Sequence, residues 1–171
     1  MVAIDSPSFV DGLGQPSIRP YAGTDHQWAQ QLLERTGGRF RVRRGHVIDT
    51  AVLPGLVGSR SGVDSTLVTF LRHRSNLEIA VVASDPFDDE LAAMVIRAAL
   101  EYRAPDCRRA FAICSNAHFD VQRALQHAGF QMCTTRPGQI EAVARRSPQP
   151  VATSFDGLEV RDEVEFDLLL I

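Results

Sequence analysis

"LEIAVVASDPFDDELAAMVIRAALEYRA", residues 77–104, places a strand, a turn and a helix one after another. The run 77–84 is β-branched and nearly all apolar, as in a central strand buried on both faces. From about residue 86 to 103 the apolar period changes, and Leu91, Met94, Val95, Ala98 and Ala99 share one face of a helix. The turn between them carries Asp85, Asp88, Asp89 and Glu90 and no glycine. Turns of this kind often hold phosphate, because bare backbone N–H groups and the helix dipole attract anions. Carboxylates there serve the helix itself: Asp85 is placed as N-cap, Pro86 as first helical residue, with acids in the first turn.

Downstream, "RRAFAICSNAHFDVQRALQHAGF" (108–130) reads as a strand over 108–115 and a helix over 118–128 that stops at Gly129. "FQMCTT" (130–135) follows as a strand, then a helix over 137–146 and a Pro-rich connector. The last segment, 158–170, aligns Leu158, Val160, Val164, Phe166, Leu168 and Leu170 on one strand face. Upstream, "SIRPY" (17–21) is strand-like, and a helix with Thr24 as N-cap runs to Arg35 and ends at Gly37-Gly38. "RFRVRR" (39–44) alternates as a strand does, and apolar runs at 51–59 and 65–73 flank "RSGVD", a hairpin turn. This order predicts an α+β domain with a mixed, twisted sheet over 17–171, after a loosely ordered leader at 1–16.

Composition narrows the function. With 44% hydrophobic and 23% charged residues the chain is an ordinary globular one, and a net charge of −3 gives no reason to expect nucleic acid or an acidic membrane as partner. All 18 basic residues are arginine, so a lysine nucleophile or Schiff base is excluded. Cys107, Cys114 and Cys133, odd in number and without metal-like spacing, fit reduced thiols in a cytoplasmic protein. No run is long enough to span a membrane, and the leader lacks the basic start and apolar centre of a signal peptide. Five scattered histidines without paired spacing predict no metal site.

The order of elements resembles the GNAT superfamily of N-acetyltransferases across roughly residues 17 to 170. The resemblance rests mainly on 108–130, where Asn116 and the pair Gly129-Phe130 match the superfamily's strand–loop–helix, and Asp120 and Arg123 occupy its polar helix positions. "RRGHVIDTAVLPGLV" (43–57) and "GLEVRDEVEFDL" (157–168) also resemble a bacterial subgroup with R-G, L-P-G and R-D-E-x-E elements. The resemblance implies two parallel strands that splay apart at the ligand cleft. It also implies a Q/R-x-x-G-x-G/A turn that cradles the pyrophosphate of acetyl-CoA. Here its glycine positions fall on Glu90 and Ala92 and its basic position on Phe87, with Asp88 and Asp89 alongside. A glutamate adds bulk and like charge against a diphosphate. The tyrosine that protonates the departing CoA thiolate falls on Leu125, which has no proton to give.

Three readings follow. The first is a small-molecule enzyme doing acid–base chemistry of lyase, isomerase or cyclase type in the inherited cleft, with no cofactor. The second is an acyltransferase that uses acetyl-CoA or another acyl-CoA through an unusual phosphate contact, with Arg103, Arg123 or main-chain groups elsewhere. The third is a non-catalytic binding protein; a homodimer is open in each. For the first, His118, His46 and Asp162 are the candidate catalytic groups, and Asn116, Arg44 and Glu163 the candidate substrate ligands. A histidine titrates near neutral pH, and a carboxylate among apolar residues has its pKa raised toward a useful value. Cys114, on a strand and with no visible base partner, reads as core rather than nucleophile.

Overall fold

The structure, a computed structural model, describes residues 14–73 and 75–170. Its elements run β1 (Pro16–Pro20), α1 (His26–Arg35), β2 (Phe40–Arg43), β3 (His46–Asp49), β4 (Gly55–Arg60), β5 (Val63–Arg72), β6 (Asn76–Ser84), α2 (Asp89–Leu100), β7 (Arg109–Ser115), α3 (Phe119–His127), β8 (Gln131–Arg136), α4 (Gln139–Ala144), β9 (Ser154–Phe155), β10 (Leu158–Glu159) and β11 (Glu163–Leu169). Of the expected leader, positions 1–13 lie outside the described residues, and Pro16 already belongs to β1. Among the described residues no helix is long and apolar enough to cross a membrane.

Seven strands form one mixed sheet in the order β1-β4-β5-β6-β7-β11-β8. Every neighbouring pair is antiparallel except β6 and β7, which are parallel and joined through α2. Their pairing covers only Asn76–Ile79 against Arg109–Ala112, although β6 continues to Ser84 and β7 to Ser115. The break coincides with a bulge. Thr69 on β5 faces Val81 and Phe70 faces Ile79, which leaves Ala80 without an opposite residue. An extra residue bends its strand and increases its twist. β6 therefore follows β5 while β7 stays with β11 along its whole length, and the two diverge as the resemblance implied.

Each sheet face has its own core. α2 and α3 cover one face, where Leu91, Val95, Ile96 and Leu125 pack on Ile79, Ala112, Val164 and Phe166. α1 covers part of the other, with Leu32 and Leu33 against Val57, Leu67, Val81 and Ala83. Beside it the β2–β3 hairpin and α4 join through Val42, Ile140, Val143 and Val160.

Several local expectations are revised. Thr24 lies in a single 3₁₀ turn, Gly23–Asp25, and α1 starts at His26. The cap of α2 is Asp88, not Asp85: its Oδ1 accepts the Leu91 N–H at 2.9 Å, and the helix starts three residues later than expected. The terminal strand is two elements. Asp156 and Gly157, at φ 48° and 75°, turn the chain between β9 and β10, and β11 begins only at Glu163. The cue is an Asp-Gly pair, a strong hairpin signal. A second short hairpin, β2–β3, turns at Arg44-Gly45, both at positive φ. β3 was not foreseen, because arginine is not a residue that advertises this conformation.

One close approach fixes how the layers meet. A Cβ on Gly58 of β4 would lie 2.5 Å from Val95 Cγ2 and 3.2 Å from Leu91 Cγ on α2. Gly58→Ala is expected to lower stability by about 1–3 kcal/mol through overpacking, measured by urea unfolding. Gly23→Ala, with nothing within 4 Å of its Cβ position, is the matched control and should change little.

Candidate functional site

The end of β6 that diverges from β7 borders a cavity of about 80 Å³, closed on another side by residues that follow β7. Val81–Ser84 supply one wall, with Phe87 beside them, and Val121 of α3 contributes to another. Phe155, carried by the β9–β10 hairpin, reaches over from a different part of the chain. Thr36 and Gly38, just after α1, and Arg41 of β2 complete the lining with His118 and Asp120. The walls are mainly apolar, and the polar groups are few and convergent, as in small-molecule sites.

His118 stands immediately before α3, is buried, and stacks on Phe155 with ring centroids 4.1 Å apart. Its Nε2 faces the Thr36 carbonyl at 3.4 Å and its Nδ1 is hydrogen-bonded to the Ser115 hydroxyl. A carbonyl can only accept, so this network assigns the hydrogen to Nε2 and leaves Nδ1 to accept from Ser115. Burial, with the nearby Arg41 cation as a second cause, pushes the imidazole pKa down to about 3. Without ligand, His118 is therefore a neutral, fully engaged imidazole at physiological pH. Titration near pH 7, expected from its residue type, is removed by its surroundings.

Residue type and spacing do not single out Arg41. Val42 points into the small core with Ile140 and Val160, and its neighbours Arg41 and Arg43 project the other way. Arg43 finds a carboxylate, forming an ion pair with buried Glu78. Arg41 lines the cavity beside His118, and among the described residues its guanidinium has no hydrogen-bond or carboxylate partner. Burial holds it below the ordinary arginine value. The only signal in sequence was the alternation of 39–44, which says that Arg41 and Arg43 share a face but not that one lacks a partner.

The other candidates are placed as follows. Asn116 spends its whole amide on backbone: Oδ1 accepts from the N–H groups of Arg161 and Asp162 at 3.0 Å each, and Nδ2 donates to the Glu159 carbonyl at 2.9 Å. Asp162 accepts the Gly138 N–H at 2.7 Å, just before α4. His46 is exposed at the start of β3 and lines none of this cavity. Arg44 and Glu163 do come together: the Arg44 N–H donates to Glu163 Oε1 at 2.8 Å, while the Arg44 guanidinium goes to Glu165. Glu163 is fully buried, and burial raises its pKa against the pull of Arg44 and Arg136. Glu165 is also raised by burial, but hydrogen bonds from Arg136, Arg109 and Arg44 outweigh this and leave it below the usual range. Cys114 faces the core, and burial lifts its thiol to about 12, which leaves no thiolate for nucleophilic work. Cys133, Glu165 and Asp167 form the one metal-like group among the described residues, but arginines already bind both carboxylates and oppose a cation.

At the start of α2, the position where the resemblance puts a pyrophosphate, the anion-binding capacity is already used. Asp88 takes the Leu91 N–H, and Arg60 pairs with both Asp88 and Glu90. Asp89 holds Arg123 at 2.7 Å, and Arg103 donates to the Leu100 carbonyl and pairs with Glu101. The two arginines considered as phosphate ligands thus have acidic partners. Leu125, at the position of the general-acid tyrosine, is buried in the core.

Two outcomes test this description. His118 should show no imidazole titration between about pH 5 and 8 by NMR. Its folded pKa lies below the unfolded value of 6.5, so between those values the unfolded chain holds a proton that the folded chain does not. Stability should therefore fall as pH drops from 6.5 toward 3, at up to about 1.4 kcal/mol per pH unit, and His118→Phe should remove that component. Asn116→Ala should cost about 2–3 kcal/mol through three lost backbone contacts, with faster amide exchange at 159–162.

Comparison with known proteins gives fold without close sequence kin. No known family profile matches the chain, and no curated protein matches it by sequence. Solved structures do. A GNAT-family acetyltransferase from Streptococcus pneumoniae superposes with a TM-score of 0.60 at 14% identity, over 91% of this chain and 100% of that one. A GNAT-family acetyltransferase from Elizabethkingia anophelis with acetyl-CoA bound gives 0.58 at 12% identity, over 91% and 98%. A spermidine N-acetyltransferase from Vibrio cholerae gives 0.60 at 11% identity, over 91% and 94%. The chain has the fold of the GNAT acetyltransferases.

Proposed function

We propose that this GNAT-fold protein acts on a small molecule in the cavity beside the diverging end of β6, as an enzyme that does not dock acetyl-CoA at α2. The observation that carries the reading is the start of α2. Its cap is an aspartate of its own chain, and Asp89 and Glu90 surround it with negative charge. A diphosphate brought there meets repulsion and finds the Leu91 amide already bonded. The cavity size agrees: about 80 Å³ accepts a small ligand and not a pantetheine arm.

For chemistry, His118 is a polar group at the lining, and Ser115, buried behind it and outside the lining, is its hydrogen-bond partner. Nδ1 of His118 can receive the Ser115 proton, and Nε2–H is oriented by the Thr36 carbonyl. With a pKa of about 3 this histidine is a weak base until a ligand changes its surroundings. An anion beside Arg41 would cancel the repulsion that helps hold the imidazole neutral. Proton transfer is therefore coupled to ligand binding in this reading, and lyase or isomerase chemistry on a small anionic substrate fits it best. Asn116, Asp162, Arg44 and Glu163 then act by holding the loop, α4 and the β2–β3 turn in place.

A second reading, an acyl-CoA acyltransferase, is favoured by one observation. Beyond Ile79 the peptide groups of β6 have no partner on β7, leaving an open strand edge that could bind an amide-bearing pantetheine arm. It would need Phe155 to withdraw and the phosphates to bind away from α2.

Calorimetric titration with acetyl-CoA separates the two. The leading reading expects no binding tighter than about 1 mM. Micromolar affinity would favour the acyltransferase, and Asp88→Asn/Glu90→Gln tightening the binding at least tenfold would place the phosphates at α2.

A further inference from the structure

We propose that the cavity beside the diverging end of β6 is a carboxylate-binding subsite in which Arg41 takes the anion and the apolar walls take a short hydrocarbon tail; this rests on the small-molecule reading above. Arg41 is half-buried, and a guanidinium withdrawn even in part from bulk water is costly unless paired with a carboxylate, a phosphate or another acceptor. Among the arginines around the sheet, Arg43 pairs with Glu78, Arg60 with Asp88 and Glu90, and Arg44, Arg109 and Arg136 with Glu165. Arg41 differs from these in having no such partner among the described residues, and it differs at a cavity. A bound carboxylate would supply two acceptors in the planar geometry that a guanidinium matches.

The rest of the lining selects the kind of carboxylate. Val81, Val82, Phe87 and Val121 offer no hydrogen bond through their side chains, and the Thr36 and Ser84 hydroxyls already donate to the Leu32 and Pro86 carbonyls, so an apolar remainder beyond the carboxylate fits best. Neutral His118 brings no competing charge, and its ring is held by Phe155 and by hydrogen bonds at both nitrogens. Asp120 is the acidic group at the lining, and it is tied to Arg123 at 3.2 Å. At one heavy atom per about 10–15 Å³, the space accepts on the order of five to eight atoms, the size of propionate, butyrate or a 2-oxo acid of similar length. A phosphate monoester would place extra charge against apolar walls.

The test is titration of the full chain at pH 7 with sodium butyrate, butyramide, inorganic phosphate and acetyl-CoA, read by calorimetry and by the His118 imidazole NMR signals. Butyrate should bind with Kd in the range of about 0.1–10 mM, at least tenfold tighter than butyramide or phosphate, and should move the His118 pKa upward. Arg41→Gln should abolish the preference for butyrate over butyramide while circular dichroism stays unchanged. Val121→Phe, which fills the cavity and keeps the cation, should weaken both ligands. Equal affinity for butyrate and butyramide, a full-strength butyrate response in Arg41→Gln, or no butyrate binding would each overturn the carboxylate assignment and leave the small-molecule reading standing. Micromolar acetyl-CoA binding with an intact butyrate response would overturn that reading and keep the Arg41 site.

Discussion

The structure depends on where the β6–β7 ladder ends. Four residue pairs are matched, and then Ala80 bulges and no later residue of β6 meets β7. Without that extra residue the two central strands could stay paired, and the peptide groups now facing the cavity would be spent on each other. The bulge gives up a few ladder hydrogen bonds and obtains an opening in the middle of a sheet, where groups from the turn after α1, β2, α3 and β9 converge. Cores on both faces keep the opening from collapsing, because each diverging strand remains packed against its own outer neighbour.

The second constraint is electrostatic. On β11, Glu163, Glu165 and Asp167 point away from the α2–α3 core, and three arginines gather on Glu165. Such a buried cluster contributes little net stability once desolvation is counted, but it defines position strongly. Arg44 is the member that matters for the cavity. By donating its N–H to Glu163 and its guanidinium to Glu165, it clamps the turn of the β2–β3 hairpin against the sheet. Arg41, two strand residues before Arg43, is held at the cavity by that clamp rather than by a bond of its own. The acidic turn before α2 follows the same economy. Its carboxylates satisfy the helix start and neighbouring arginines, so the most inviting phosphate site in this type of fold is closed from within.

Much of the architecture was legible in the residues. The apolar run 77–84, the helical period after it and the strand–helix unit at 108–130 gave the order and type of the main elements, because burial imposes periods of 2 and 3.6 on the chain. The departures are local: the cap at Asp88 instead of Asp85, the start of α1 at His26, and the break of the expected strand 158–170 into β10, which closes the Asp156-Gly157 hairpin, and β11. Each turns on a single backbone conformation or cap bond, which residue type favours without dictating.

The site was legible only as a neighbourhood. Residue types and the resemblance pointed to the end of β7, and His118 is indeed at the cavity. Yet Asn116 and Asp162, equally plausible by type, spend their polar atoms on backbone groups of segments far away in sequence. Arg41 was one arginine among 18, and nothing local distinguished it from Arg43. Sequence by itself determined the elements, their order and the acidic character of the α2 turn, because periodicity and charge are local properties. Tertiary structure alone decided that Arg41 lacks a partner among the described residues, that Phe155 covers His118 and that this histidine stays uncharged. Pairing and desolvation depend on which distant groups arrive within a few ångströms, and no short stretch of chain contains that information.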